Sequence, residues 1–207
     1  LGAELIFHGA DFDAARLHCE RLAKEEGYRF VHPVNDPLLV AGVGTQALET
    51  IEDLPDVQVL MVPLGGGSGV SGACIVAKGI DPAIEVLAVQ SEQAPAGYLS
   101  WKQGKIVEAE MKTFAEGVAT ASGYELAQAI IKELLDDFLL VSDDEIRRAI
   151  GTLVDKAHTL AEGAGATALA GAIRYPEKVK GKKVAITISG ANITVEQLQK
   201  SLDVYQG

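Results

Sequence analysis

Four glycines lie within the five residues 65–69, and this loop is the clearest candidate for chemistry in the chain. The apolar run 57–62 before it predicts a buried strand, and the residues from Val70 onwards predict a helix. Glycine permits positive φ and leaves no Cβ in the way of a ligand. The N-terminus of a helix offers unpaired N–H groups and the positive end of the helix dipole. The combination predicts a phosphate-binding site.

The kind of phosphate is not settled by the loop itself. No Gly-Lys-Ser/Thr follows it, so it is not a Walker sequence, and it fits the Gly-x-Gly-x-x-Gly dinucleotide motif poorly. Gln90 stands at the end of the strand predicted over 84–89, at the position where a dinucleotide site would have an acidic residue. A tight strand-to-helix turn without any ligand stays open as an alternative.

Three further positions combine a polar or small residue with a glycine-rich context. Ser189 follows an apolar run and can present its hydroxyl to a ligand above a sheet, although a local serine turn gives the same pattern. Glu162 precedes a predicted helix, where the helix dipole alone favours a carboxylate. Gly117 lies in a small-residue loop. These three positions lie in the stretches 114–119, 162–166 and 187–192. A fourth candidate stretch, 32–45, begins with a loop that is bracketed by two prolines.

The bulk composition limits the class of protein. A length of 207 residues suits one globular domain, or one domain and part of another. A net charge of −11 without a basic stripe argues against a nucleic-acid partner. We expect no membrane span or signal peptide and a cytoplasmic location, because no apolar run is long enough. The two cysteines, Cys19 and Cys74, have no metal-ligand spacing and are expected to be free thiols.

The predicted elements alternate between strands and helices, which favours an α/β fold with binding loops at the carboxyl ends of parallel strands. Gly42 and Gly44 lie inside one predicted helix, at a cost of roughly 1 kcal/mol each, so we expect close packing against a neighbouring backbone there. The predicted strands are 5–7, 29–31, 57–62, 84–89, 138–141 and 184–188. The predicted helices are 11–26, 37–51, 70–78, 98–103, 124–136, 142–158 and 164–173, with a last short helix after a capping box at 194–197.

Taken in order, these stretches resemble the fold-type-II pyridoxal-phosphate enzymes of the threonine/serine dehydratase group. The resemblance implies a three-layer parallel sheet with helices on both faces, similar to the β subunit of tryptophan synthase. It implies that residues 1–34 end a small domain, that residues 35–207 form the large cofactor-binding domain, and that the fold is incomplete at its N-terminus. The stretches that carry it are 62–69 with 71–72, 135–146, 161–166 and 188–192.

The resemblance also implies a cofactor, pyridoxal 5′-phosphate, and a reaction. The reaction is dehydration and deamination of L-threonine or L-serine to 2-oxobutanoate or pyruvate and ammonia, by a homo-oligomer, dimeric or tetrameric. Backbone N–H groups of the loop would hold the phosphate, Ser189 would bond the pyridine nitrogen, Gly117 would line the ring face and Glu162 would lie near cofactor or substrate. The implied cofactor-binding residues are Gly65, Gly66, Gly67, Ser68, Gly69, Gly117, Glu162 and Ser189.

Three departures from the family pattern qualify this reading. No lysine here has the context of the family's Schiff-base lysine, so we expect no catalytic residue in this chain and an inactive chain when alone. Ser68 and Ala191 replace glycines that are usual in the family. Glu92 is the only candidate for a cation ligand that some relatives have, and we expect no metal. The alternatives are a non-catalytic fragment or pseudo-enzyme, and another fold-type-II enzyme such as threonine synthase.

Overall fold

The computed structural model describes residues 2–9, 12–205 and 207. The chain divides into two compact units, one that ends at His32 and one that spans Pro33–Gly207. The larger unit contains all eight residues that the resemblance implies for cofactor binding.

The smaller unit is built on one helix, α1 (Phe12–Glu26), which confirms the predicted helix except at Asp11, a residue outside the described ranges. Gly27 ends the helix with φ of +73°, the left-handed conformation expected after a helix C-terminus. The strands predicted at 5–7 and 29–31 are wrong, because neither segment pairs with another within the described residues. Leu5 and Phe7 are 75% and 92% exposed. An apolar, β-prone sequence becomes a strand only where a partner satisfies its backbone.

The larger unit contains a four-stranded parallel sheet, and the parallel arrangement predicted from the sequence is confirmed. The strands stand in the order β3-β2-β1-β4. Their carboxyl ends therefore meet at one edge of the sheet, where the loops of an α/β fold bind ligands. The strands are β1 (Val59–Pro63), β2 (Glu85–Ser91), β3 (Asp137–Val141) and β4 (Val184–Ile186).

Helices cover both faces of this sheet, which confirms the three-layer fold. Alternate residues of β1 and β2 point into two separate apolar cores, as the period of a strand requires. One face packs against α2 (Pro37–Asp53), α3 (Ser68–Ile80), α4 (Ala96–Gln103) and α5 (Glu125–Leu134). The other packs against α6 (Asp143–Ala157), α7 (Gly163–Arg174), α8 (Pro176–Val179) and α9 (Val195–Val204). No helix in the described ranges is long and apolar enough to cross a bilayer.

Both predicted capping boxes are present, and the first one also carries charge. Ser142 caps α6 by accepting from the Glu145 N–H, and the Glu145 carboxylate accepts from the Ser142 N–H at 2.7 Å. Burial opposes ionisation of Glu145, but the hydrogen bonds from Ser142 and the charge of Arg174 outweigh it and hold the pKa of Glu145 below its ordinary value. Thr194 and Gln197 form the second box at α9.

One of the two glycines inside α2 explains the close packing that the sequence led us to expect. A Cβ added to Gly72 of α3 would lie 2.8 Å from the Cα of Gly44, so the two helices touch backbone to backbone. Gly42 has nothing within 4 Å of an added Cβ, and the expectation of close packing is wrong at that position. The contact fixes α2 against α3, the helix that begins at the glycine loop.

The two cysteines are free thiols in contrasting surroundings. Cys19 is exposed, whereas Cys74 is fully buried in α3. Burial, with the neighbouring Asp136 carboxylate, raises the pKa of Cys74 to about 12. We predict that a thiol reagent modifies Cys19 within minutes in the native protein and Cys74 only after unfolding, because the thiolate is the reactive form. Peptide mass spectrometry assigns the modified residue, and rapid native labelling of Cys74 would contradict the prediction.

Candidate functional site

The glycine loop joins the carboxyl end of β1 to the first turn of α3. The helix begins at Ser68, two residues earlier than predicted, so Ser68 and Gly69 belong to its first turn. The Leu64 N–H donates to the Val89 carbonyl at 2.8 Å, which keeps the loop aligned with β2 as it leaves the sheet. Gly67 caps the helix with φ of +101°, a conformation that L side chains rarely adopt.

The loop presents a row of backbone donors that the protein itself does not use. Within the described ranges, no N–H group of residues 65–69 donates a hydrogen bond to another part of the chain. Unpaired N–H groups at the start of a helix, reinforced by the helix dipole, favour an anionic oxygen. The loop therefore has the donor chemistry that a phosphate group requires.

Two of the loop glycines are required by close contacts with other segments. A Cβ on Gly65 would lie 2.2 Å from the carbonyl oxygen of Gly117, and a Cβ on Gly66 would lie 2.3 Å from Cγ2 of Val34. The Thr120 hydroxyl also donates to the Gly65 carbonyl at 3.3 Å. The loop is thus fixed from two sides, and its position is coupled to that of Gly117.

Ser189 leaves the sheet beside the glycine loop. Strand β4 pairs with β1 so that Ile186 stands opposite Met61, and the Thr187 N–H continues the pairing by donating to the Met61 carbonyl at 2.9 Å. Three residues further along each strand are Leu64 and Ser189. Ser189 is exposed, and its hydroxyl makes no hydrogen bond to the described residues. The strand pairing thus brings the Ser189 backbone to the same edge of the sheet as the start of the loop.

Glu162 holds the turn that follows Ser189. It stands at the N-cap of α7, but its side chain makes no capping hydrogen bond to that helix. Instead, Oε2 accepts from the Asn192 N–H at 2.9 Å, and the Glu162 N–H donates to the Gly190 carbonyl at 3.1 Å. The other oxygen, Oε1, would lie 2.7 Å from a Cβ on Gly190. The Glu162 carboxylate therefore stabilises the turn 190–192. The helix-dipole explanation alone would not require this role.

Gly117 and Glu162 line the same pocket, whose volume is about 310 Å³. The residues 65–69 and Ser189 do not line it, although Gly65 touches Gly117 directly. Gly69 borders a separate pocket of about 130 Å³ that also includes Ile188. Close contacts thus run from Gly65 through Gly117 and Glu162 to Gly190, the residue that follows Ser189. The remaining lining residues of the larger pocket are Phe114, Glu116, Gly163, Ala164, Asn192 and Gln197.

Some of these lining residues had no distinctive signal in the sequence. Gln197 stands in a helix-capping box, a pattern that indicates only where a helix begins. Asn192 ends a turn in which Ser189 was the more conspicuous residue. Glu116 lies in the small-residue loop around Gly117, and that loop was the one clue to it. Their shared pocket depends on how α7, α9 and the 114–118 segment pack.

A cation site is not formed by the described side chains. Within residues 2–9, 12–205 and 207, no three His, Cys, Asp or Glu side chains are grouped so that they could hold a metal ion. Glu92, the candidate ligand from the sequence, accepts a hydrogen bond from Nη1 of Arg174 at 2.6 Å. The same guanidinium nitrogen donates to Glu145 at 2.9 Å. Glu92 therefore takes part in an ion pair between the end of β2 and α7.

Comparison with known proteins gives the family of this fold. The family model described as "Pyridoxal-phosphate dependent enzyme" matches residues 1–190. The chain is 41% identical over 204 residues to the L-threonine ammonia-lyase of Thermotoga maritima, covering 98% of this chain and 51% of that protein. The chain thus spans about half the length of that relative.

Solved structures agree with the sequence comparison. The processed form of threonine deaminase isoform 2 from Solanum lycopersicum superposes with a TM-score of 0.92 at 32% identity, covering 98% of this chain and 60% of that chain. The serine racemase of Dictyostelium discoideum superposes with a TM-score of 0.83 at 32% identity, covering 94% of this chain and 63% of that one. The fold class inferred from the sequence is confirmed.

We predict that Gly65→Ala weakens binding of pyridoxal phosphate by at least about tenfold. The new Cβ would overlap the Gly117 carbonyl, and relief of such overlap typically costs about 1–3 kcal/mol. The matched control is Gly79→Ala in α3, where an added Cβ meets nothing within 4 Å. Equilibrium dialysis measures the affinities and thermal unfolding checks the fold. Equal affinity in the two variants would show that the contact between Gly65 and Gly117 does not shape the site.

Proposed function

The chain belongs to the family of pyridoxal-phosphate dependent enzymes, and from that premise we propose that it supplies the non-covalent part of the cofactor site in a threonine dehydratase-like lyase. The reaction is dehydration and deamination of L-threonine, or of L-serine, to a 2-oxo acid and ammonia. The observation that carries the proposal is the row of unpaired N–H groups in the glycine loop, with Ser189 beside it.

The residues present fit the cofactor's phosphate. The N–H groups of residues 65–69 offer hydrogen bonds to its oxygens, and the 13-residue helix α3 behind them adds the positive end of its dipole. Gly65 and Gly66 let the loop pack closely on Gly117 and Val34, which fixes the position of these donors. Ser68 supplies a hydroxyl at the helix start as a further donor. In this proposal, backbone donors and the helix dipole stabilise the anion without a full positive charge.

Ser189 would bind the pyridine nitrogen. When bound, the cofactor serves as an electron sink for the amino-acid substrate. A serine hydroxyl is a weak acid, so it donates a hydrogen bond to the ring nitrogen without transferring its proton. A ring with a neutral nitrogen is less strongly electron-withdrawing than one with a protonated nitrogen. A moderate electron sink favours loss of the β-hydroxyl over transamination. The exposed, unpaired hydroxyl is what supports this role.

Glu162 would orient the groups around Ser189. One carboxylate oxygen is engaged by the Asn192 N–H, which fixes the turn from Ser189 to Asn192 in place. The other oxygen, Oε1, faces Gly117 and Gly190 and can accept a hydrogen bond from a ligand in the pocket. Glu162 would thereby link Gly117, the predicted contact of the ring face, to Ser189, the predicted partner of the ring nitrogen.

The proposal extends to the parts of the site that these residues do not supply. Among the described residues, no lysine lines the 310 Å³ pocket, which supports our proposal that the lysine that anchors the cofactor covalently lies outside these 207 residues. The chain by itself would then be inactive. We also assign residues 1–34 to a small domain and residues 35–207 to the large one, which is supported by the division into compact units after His32. The proposed enzyme is a cytoplasmic homo-oligomer.

A second reaction needs a direct test because the serine racemase of Dictyostelium discoideum shares this fold at 32% identity. Racemisation needs a proton returned to the α-carbon, whereas dehydration needs loss of the β-hydroxyl. The protein at its full natural length, incubated with L-threonine or L-serine, should release 2-oxobutanoate or pyruvate with an equal amount of ammonia. Chiral chromatography would detect D-serine if racemisation prevails. No product from either amino acid would favour a non-catalytic protein and overturn the proposal.

We predict that Ser189→Ala lowers kcat for dehydration by at least about tenfold, the loss expected when one hydrogen bond of about 1.4 kcal/mol is removed from the reacting ring. Ser189→Thr keeps the hydroxyl and should retain most of the activity. Both variants should fold normally, since Ser189 is exposed. Steady-state kinetics with saturating cofactor gives kcat, and equal loss in both variants would exclude the hydroxyl as the cause.

A further inference from the structure

Asp143, the first residue of α6, binds a loop and not its own helix. Its Oδ1 accepts from the Thr113 hydroxyl at 2.7 Å and from the Ser91 hydroxyl at 2.8 Å, and its Oδ2 accepts from the Phe114 N–H at 3.0 Å. Its own N–H donates to Oε1 of Gln93 at 3.0 Å. Three donors on one carboxylate make these charge-assisted bonds a strong tether between the end of β2, the start of α6 and the 113–114 backbone.

The helix does not need this carboxylate for capping. Ser142 and Glu145 already form the complete capping box of α6. The next residue, Asp144, shares the helix start but is exposed, and none of the described residues donates a hydrogen bond to its carboxylate. The difference between these neighbours indicates that Asp143 has a role which the helix dipole does not explain.

The tethered segment leads directly into the pocket. The Thr113 hydroxyl also accepts from the Ala115 N–H at 3.1 Å. The N–H groups of both Phe114 and Ala115 are therefore hydrogen-bonded. The Phe114 ring lies under the Arg147 guanidinium, 3.7 Å from its Cζ, and reaches Gly163 at the start of α7. A short 3₁₀ turn follows at Glu116–Val118. The position of this turn is therefore set from the Asp143 side.

We infer that Asp143, through Thr113 and Phe114, is a positioning residue that fixes the Glu116–Val118 turn against the glycine loop and so sets the affinity for the phosphate-bearing cofactor. The Gly117 carbonyl packs on Gly65, with 2.2 Å to an added Cβ, so a displaced turn would disturb the donors of the loop. The inference rests on the proposed function and adds to it a residue with no contact to the pocket.

Hydrogen–deuterium exchange without cofactor tests the first step, on the protein at its full natural length. Asp143→Asn retains only one acceptor oxygen. In one orientation its NH₂ group faces the Phe114 N–H, and in the other it faces the two hydroxyls and removes the bonds that they donate. We expect the hydrogen-bonded amides of Phe114 and Ala115 to exchange at least about tenfold faster, as for loss of one bond to a charged group. Asp144→Asn makes the same charge change on the same helix turn and should leave this exchange unaltered. Equal exchange in the two variants overturns the inference.

The second step is tested by the equilibrium affinity for pyridoxal phosphate. We expect Asp143→Asn to bind it at least about tenfold more weakly than the unaltered protein, and Asp144→Asn to bind it equally well. Unchanged affinity despite faster exchange at Phe114 and Ala115 overturns the positioning role. If the unaltered protein does not bind pyridoxal phosphate, the proposed function itself fails, and the cofactor-free exchange experiment keeps that failure separate.

Variants of Thr113 test the inference about Asp143 if Asp143→Asn does not fold. Thr113→Val removes the hydroxyl that joins the Asp143 carboxylate to the Ala115 N–H, at nearly constant volume. Thr113→Ser keeps that hydroxyl. We expect weaker cofactor binding and faster exchange in the valine variant and recovery of both in the serine variant. Equal behaviour of the two would show that packing of the side chain, and not the Asp143 tether, fixes the segment.

Discussion

Parallel pairing of β1 with β2 and β4 is the constraint on which the candidate site depends. It brings the carboxyl ends of the three strands to one edge, so the glycine loop, Glu92 and Ser189 all follow strand ends on the same side of the sheet. The register aligns Met61 with Ile186, and a shift by one residue would exchange the two faces of β4 and move Ser189 along the edge. The separate apolar cores on the two faces oppose any such shift, because each needs its own set of alternate side chains.

Close backbone contacts at glycine then convert this alignment into a site. Gly65 packs on the Gly117 carbonyl, and a Cβ on Gly165 of α7 would lie 2.4 Å from the Gly190 carbonyl. These contacts let loops from different strands approach more closely than side chains would permit. They also leave the N–H groups of residues 65–69 without partners inside the described protein. An anionic ligand can satisfy these donors at a surface already shaped by backbone.

Carboxylates hold the loops that the glycines bring together. Glu162 fixes the turn from Gly190 to Asn192, and Asp143 fixes Thr113 and Phe114. Each accepts hydrogen bonds from backbone N–H groups of a segment that has little regular structure of its own. A charged acceptor is suited to this task, since bonds to an ionised group are roughly twice as strong as neutral ones. The irregular segments near the pocket thereby gain order without a local helix or strand.

The sequence by itself determined the alternation of strands and helices, the capping boxes and the glycine loop, because these follow from periodicity and from residues a few positions apart. It also singled out Gly117, Glu162 and Ser189. Only the tertiary structure decided that Glu162 bonds Asn192 and that Asp143 bonds Phe114, pairs that are 30 and 29 positions apart. Such contacts depend on the paths of the intervening elements. The prediction of a strand at 5–7 was wrong for the same physical reason, since a strand exists only where a distant segment pairs with it.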